Sequence, residues 1–359
     1  MPTSPEPIEA VSQRLDKFLS EQLSYASALG PEAETLTRSG ASALRGGKRL
    51  RARFCLTGWR AVADSSEAFD DAALAVAASL EVFHAAALVH DDLVDNSDTR
   101  RGQPAAHRAL QAAHREAGWA GDSDAFGRSG AILLGDLLVA WSDDLLEEGL
   151  DGASTARETR RAYARMRRDV TIGQFLDVAE ESAYAVYPDG AHAERALRVA
   201  SYKSARYSIQ QPLEIGASLA GADAAQLDAL GRFGHDVGMA FQLRDDVLGV
   251  FGDSAVTGKP VGDDLREGKR TVLVAYTRES LTPAERHEVD TRLGDPGLDA
   301  EQIGILQRTI VDSGALARTE QLIADYARRA DSALAAAPLG TAALEELRAL
   351  ARAATERTA

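Results

Sequence analysis

Cysteine is almost missing. Cys55 stands alone, so the chain cannot close a disulfide on itself. A reducing compartment, and with it a cytoplasmic location, is the expectation. Cys55 lies in an apolar stretch and reads as a small core residue. Basic charge is also scarce, with 40 Lys and Arg against 55 Asp and Glu and a net charge of -15. That balance excludes broad nucleic-acid binding, which needs concentrated Lys and Arg, and it opposes anionic lipid headgroups. The opening MPTSPEPIEA has no basic region followed by an apolar run, so no signal peptide is expected. Its three prolines predict disorder over residues 1–7. No stretch is expected to supply the ~18 apolar residues of a membrane span, and no stable membrane insertion is expected. Period-two alternation of β-branched residues is scarce, which excludes a sheet-based fold. Long Gly/Ser or Pro linkers and fixed-period repeats are missing too. Residues 8–359 therefore read as a single all-α domain.

What fills the chain is helical patterning, rich in Ala and Leu. It predicts helices over 8–29, 31–45, 50–64, 67–96, 103–117, 129–148, 155–182, 191–220, 223–250, 268–281, 300–333 and 340–356. One of these ends unusually. In LVHDDLVDNSDTRRGQP, Asp91, Asp92 and Asp95 crown an apolar helix, and the charge reverses at Arg100 and Arg101. Asp91 and Asp95 are one turn apart on one face, about 6 Å along the axis. Two such carboxylates repel unless a cation sits between them, and hard oxygen ligands suit Mg2+. A solvated helix end with capping residues is the plainer alternative. A calcium loop fails on spacing, because its third and twelfth positions would be Val94 and Gln103. His84 lies on the same stripe as Asp91.

A second cluster, FQLRDDVLGVFGD, ends another long helical pattern with Asp245 and Asp246. Two such helix ends facing one cavity would hold several Mg2+ ions. Magnesium held by few carboxylates usually bridges to phosphate, which calls for further cations. LRGGKRLRAR supplies Arg45, Lys48, Arg49, Arg51 and Arg53, with Gly46 and Gly47 just before a helix. Arg100 and Arg101 follow the first cluster, SYKSARY supplies Lys203 and Ser204, and TGKPVGDDLREGKRT supplies Lys259 and Lys269. Each lysine alone reads as a surface residue, and the basic loop alone as a solvated turn. Together they suit a diphosphate.

These motifs resemble those of the trans-isoprenyl diphosphate synthases, or polyprenyl synthetases, and most of all actinobacterial geranylgeranyl-type enzymes. The matching stretches are GGKRLR at 46–51, FHAAALVHDDLVD at 83–95, RRG at 100–102, YKS at 202–204, FQLRDDVLG at 241–249, and GKP with GDDLREGKRT at 258–271. The resemblance implies an isoprenoid synthase-type helical bundle around a central cavity, usually a homodimer. It implies Mg2+, about three ions per site, with Asp91, Asp95 and Asp245 as ligands and Asp92 and Asp246 in support. It places isopentenyl diphosphate at Lys48, Arg51, His84 and Arg101. It places an allylic diphosphate (dimethylallyl, geranyl or farnesyl) at Arg100, Lys203, Ser204, Gln242, Lys259 and Lys269. The catalytic set would be Asp91, Asp95, Lys203, Asp245 and Lys259.

Two departures stand out. The family's second motif commonly reads DDxxD, and its last position here is Gly249, so the metal there would lean on Asp245 and water. A restored Gly249→Asp is expected to be tolerated. Ser204 stands where threonine is common and keeps the hydroxyl. In this family a bulky residue four or five places before the first aspartate halts chain growth early. Here both places are alanine, Ala86 and Ala87. The floor then falls to Leu80, about 16 Å below Asp91, with Phe83 to one side. This depth predicts a C20 product, with C25 or farnesyl as alternatives. A terpene cyclase is disfavoured, because its usual second motif is not found. A non-catalytic partner subunit is disfavoured by the intact first motif.

Overall fold

The computed structural model describes residues 6–63, 69–252, 261–335 and 337–355. Lys259 and residues 1–5 lie outside that range. Helix α1 runs Pro7–Ser27, α2 Pro31–Ala43, α3 Leu50–Ala63 and α4 Asp71–Val94. A β-hairpin follows, β1 Thr99–Arg100 and β2 Gln103–Pro104. Then come α5 Ala106–Glu116, α6 Ser123–Leu150, α7 Ala156–Ala183, α8 His192–Val199, a π-helical stretch Ala200–Gln210 and α9 Gln211–Leu219. The C-terminal part holds α10 Ala224–Phe251, α11 Asp263–Glu267, α12 Val272–Ser280, α13 Pro283–Arg292, α14 Ala300–Asp312, α15 Ala315–Ala335 and α16 Thr341–Thr355.

The all-α expectation holds, with corrections. Pro7 is the first residue of α1, where its missing N–H costs nothing, so the expected disorder does not reach it. Helix α6 starts six residues earlier than expected, because the Asp122 carboxylate accepts from the Asp124 and Ala125 amides. Helix α13 was not anticipated, although its capping box, Thr282 with Glu285, is visible in LTPAE. The expected helix 300–333 breaks at Gly314, which adopts φ +77°. The two-residue strands escaped prediction because only their turn carries a signal. Arg101 and Gly102 have φ +53° and +72°, the double left-handed turn that matches hairpin twist.

Helix α4 overturns one expectation outright. Its best 18-residue window has mean hydropathy 1.9, long and apolar enough for a membrane span by composition. Yet 72% of that window is buried within the protein. The apolar residues serve a core: Val76, Leu80 and Phe83 of α4 pack with Leu134, Leu138 and Leu145 of α6 and Tyr163 and Met166 of α7. A second cluster joins Leu243, Val247 and Val250 of α10 to Leu265, Val272, Leu306 and Ile323. Helix α10 also enters a third, through Phe233 and Val237 against Phe54, Leu213, Leu334 and Leu347. Cys55 is buried in the first cluster, and its thiol is pushed well up by burial, as an inert core residue should be.

The expected single helix 191–220 is interrupted by the π-helical stretch. Its wider turn is gripped from both sides by glycines. A Cβ on Gly173 of α7 would lie 2.4 Å from the Lys203 amide nitrogen, and one on Gly238 of α10 would lie 2.5 Å from the Ala205 carbonyl oxygen. Backbone cannot yield as a flexible side chain would. Gly238→Ala should therefore destabilise the protein by about 1–3 kcal/mol through overpacking. A thermal melt with an unchanged midpoint would contradict this account of the grip.

Candidate functional site

Helix α4 ends where it does because Asp95 closes it, its amide donating to the Asp91 carbonyl at 2.8 Å. Three carboxylates thus emerge within two turns at the end of a buried helix. Asp92 points inward and is 2% exposed. It pairs with Arg100, whose Nε donates to Asp92 Oδ1 at 2.8 Å and whose Nη2 lies 3.4 Å from Asp91 Oδ2. Asp91 Oδ1 accepts from Gln174 Nε2 at 2.9 Å and lies 3.6 Å from Lys203 Nζ. Lys203 also pairs with Asp177. The π-helical widening and Gly173 set Lys203 at this spot, against α7 and the end of α4.

Helix α10 is fixed at its start by a capping box between Asp223 and Gln226 and ends at Phe251. Asp246 is buried near its end and accepts from Gln242 Nε2 at 2.7 Å, while Asp245 is half-buried. Burial, then Asp264, pushes the Asp246 carboxyl up to about 8. Burial, then Asp91, pushes Asp95 up to about 6. The positive charge of Lys269 opposes both rises. One ammonium near both carboxylates means that the ends of α4 and α10 face a common space. The structure therefore brings together Asp91, Asp92, Asp95, Arg100, Lys203, Gln242, Asp246 and Lys269. Ser204 is half-buried on the same π-helical stretch.

The basic loop forms a second group. Gly46, Gly47 and Arg49 all adopt left-handed φ of +70°, +85° and +49°. Arg49 is held there by donating from Nη2 to the Leu44 carbonyl at 2.6 Å and by Glu81, 3.8 Å away. Glu81 also accepts from the Ala52 amide at 2.9 Å, which satisfies one open N–H at the start of α3. Lys48 is exposed on this loop. The Arg101 guanidinium lies against Gly47, 3.1 Å from where a Cβ would stand. Arg51 sits over the Tyr207 ring at 4.1 Å and donates to Ser208 Oγ at 2.9 Å. Its Nε is buried with no hydrogen-bond partner among the described residues, an open donor that an anion would satisfy. His84 Nδ1 lies 3.2 Å from the Tyr207 hydroxyl. Burial first, then the charges of Arg51, Arg101, Arg100 and Arg49, hold its pKa well below the usual histidine value. It is a neutral imidazole inside a ring of arginines.

Adjacent Arg100 and Arg101 thus serve different groups, because the tight turn sends one toward α4 and the other to the loop. Glu81, Tyr207, Ser208, Gln174 and Asp177 were not picked out from the sequence. An acidic residue inside an otherwise apolar helix was the one signal that marked Glu81. The others gave none beyond proximity.

The carboxylates fit a hard divalent cation. Burial first, and a neighbouring carboxylate second, raise the carboxyls of Asp95 and Asp246 at the two helix ends. The donors are oxygens, not thiolate or imidazole, which suits Mg2+ over softer metals. Among the described residues no three such groups converge on one point. Mg2+ commonly takes one or two carboxylates and fills its shell with water and phosphate oxygen, so the sparse set is compatible. At position 249 a Cβ would meet the end of the Asp264 side chain at 1.9 Å, so a restored carboxylate there needs Asp264 to move.

Of the chain-length candidates, Leu80, Phe83 and Ala86 are buried, and Ala87 alone is half-buried. The Phe83 ring meets Tyr163 and Tyr207 edge-on, at 6.5 and 6.0 Å between centroids.

Comparison with known proteins agrees with this architecture. Residues 33–308 match the polyprenyl synthetase family model. Geranylfarnesyl diphosphate synthase of Aeropyrum pernix is 33% identical over 305 residues, 84% of this chain and 87% of that one. Geranylgeranyl diphosphate synthase of Mycobacterium tuberculosis is 37% identical over 209 residues, 58% of this chain and 53% of that one. The crystal structure of a Corynebacterium glutamicum geranylgeranyl pyrophosphate synthase, complexed with isoprenyl diphosphate and magnesium, superposes with a TM-score of 0.89 at 39% identity over 98% of each chain. Matched along most of its length, the chain belongs to the polyprenyl synthetase family of prenyltransferases.

Proposed function

We propose that this protein joins isopentenyl diphosphate head-to-tail to an allylic diphosphate, dependent on Mg2+, and releases mainly geranylgeranyl diphosphate (C20). The observation that carries the reading is the common space between the ends of α4 and α10, flanked by a separate arginine-rich loop. Two diphosphates need two cationic sites, and two separate groups of cations support that count. Residues 8–359 act as one polyprenyl synthetase domain, with the N-terminal segment outside it. Exposed Ile132 and Leu133 on α6 and Ile172 and Phe175 on α7 support a homodimer, since a second copy would cover such apolar faces.

Asp91, Asp95 and Asp245 would hold the metal, with Asp92 and Asp246 behind them. When bound, Mg2+ supplies charge that stabilises the departing diphosphate. Arg100, Lys203 and Lys269 add fixed positive charge on the same side, and Lys259 completes this set in the family pattern. Gln242 orients Asp246. Lys48, Arg51 and Arg101 hold isopentenyl diphosphate so that its double bond meets the allylic carbon as the C–O bond breaks. Neutral His84 donates a hydrogen bond there without adding charge. The proton lost from the isopentenyl unit as its new double bond forms leaves with the released diphosphate. Apolar walls keep out water, which would capture the allylic cation as an alcohol. Tail length is set along α4. Ala86 and Ala87 leave the first turn below Asp91 open, and Leu80 closes the channel further down.

Asp91→Ala or Asp245→Ala should abolish turnover, a loss of several kcal/mol in transition-state stabilisation, with helical circular dichroism unchanged. Near-normal rates in Mg2+ would contradict the carboxylate roles. Arg51→Ala should raise the Michaelis constant mainly for isopentenyl diphosphate, and Lys203→Ala mainly for the allylic substrate. Equal effects on both constants would break that division. Ala87→Phe should shift the product from C20 toward C15, read by chromatography of dephosphorylated products. Continued C20 synthesis at the normal rate would place the tail along another helix.

A further inference from the structure

Lys269 stands on the short stretch between α11 and α12, just after left-handed Gly268 at φ +77°. Its ammonium meets Asp264 at 3.1 Å and Glu267 at 2.6 Å. Both partners lie within five residues of it, so they fix the ammonium to its own turn and not to the rest of the site. Yet its charge acts on Asp95 of α4 and on Glu181 in the last turn of α7, where the charge of Lys203 acts too. The turn must therefore be held against α7.

The next residue makes that connection. The Arg270 side chain is 12% exposed and is turned onto the end of α7. Its guanidinium lies over the Tyr184 ring, 3.5 Å from the centroid, and donates from Nη1 to Asp290 Oδ1 at 2.7 Å. Tyr184 follows α7 directly. That helix also carries Gln174 and Asp177, the partners of Asp91 and Lys203. Asp290 is fixed in turn. Arg278 of α12 pairs with it and donates from Nη2 to Asp189 Oδ1 at 3.0 Å, and Arg286 of α13 pairs with the same Asp189. Three arginines thus share two aspartates, and the face of the Tyr184 ring takes up part of the surplus charge.

We infer that Arg270, clamped between Tyr184 and Asp290, positions Lys269 for the allylic diphosphate. The clamp ties the Lys269 turn to the helix whose other residues meet Asp91 and Lys203. An untied ammonium would have to be ordered when the ligand arrives, and that cost falls on affinity. Arg270 is a positioning residue, acting through its neighbour. The inference rests on the proposed allylic role of Lys269.

Michaelis constants for geranyl diphosphate and isopentenyl diphosphate, taken through a double-mutant cycle, read this. Arg270→Ala should raise the constant for geranyl diphosphate about fivefold to tenfold and leave that for isopentenyl diphosphate within about twofold. Tyr184→Leu removes the ring face and should give the same split at about threefold or more, which covers the case of an Arg270→Ala variant that fails to fold. Tyr184→Phe keeps the face and should behave as wild type. In a Lys269→Ala background, Arg270→Ala and Tyr184→Leu should each add less than about twofold, because nothing is left to position. A residue that only stabilises the fold costs as much in one background as in the other. An effect that persists undiminished without Lys269, or that moves both constants alike or neither, overturns the inference. Lys269→Ala alone separates the two levels. If it leaves the geranyl diphosphate constant unchanged, the allylic reading of Lys269 and this inference fall together. If it raises that constant while the cycle stays additive, only the clamp loses its role.

Discussion

Carboxylates at the end of a buried helix repel one another, and the architecture around α4 and α10 answers that repulsion. Asp91, Asp92 and Asp95 could not stand within two turns of a half-buried helix end without cations. Arg100 and Lys203 meet part of that charge from the hairpin and the π-helical stretch. Lys269 is held by Asp264, whose carboxylate lies beside Gly249 near the end of α10. Burial and a neighbouring carboxylate still raise Asp95 and Asp246.

Placing the cations demands close backbone packing elsewhere. Lys203 can face Asp91 only if the π-helical stretch nests against α7 and α10, and Gly173 and Gly238 permit that approach. Arg49 can hold the basic loop only if Glu81 is buried beside it, in a helix otherwise devoted to the core. Site and core are therefore not separable in α4. The same 24 residues supply the packing surface, the loop anchor and the acidic crown.

The sequence made much of this legible, for particular reasons. Paired aspartates at the ends of apolar helical patterns are rare enough to stand out, and so is a basic loop in an acidic chain. Helix periodicity located most elements, because Ala and Leu at 3.6-residue spacing leave few alternatives. The π-helical stretch was not legible, since its residues carry ordinary helical patterning and the extra residue per turn is imposed by neighbours. The hairpin was hidden because two-residue strands have no periodicity. The membrane-like apolarity of α4 was underestimated because Glu81 and His84 break the run by eye while the average stays high. Partners such as Tyr207 and Gln174 emerged only when distant segments met. Gly249 was read as a missing ligand, and a sequence cannot show that the Asp264 carboxylate lies beside it.

The turn at Arg101 and Gly102 carries a mechanical consequence. Both of its residues are left-handed, a geometry with little freedom to open or slide. One of its arginines leans on the acidic crown, and the other lies on the glycine loop. The hairpin is thus a fixed caliper between the two diphosphate-binding groups proposed here. A shift of Arg100 as a ligand displaces it from Asp92 would be carried through one peptide bond to Arg101. Occupancy of one pocket would then be felt in the other over the shortest covalent path the chain offers.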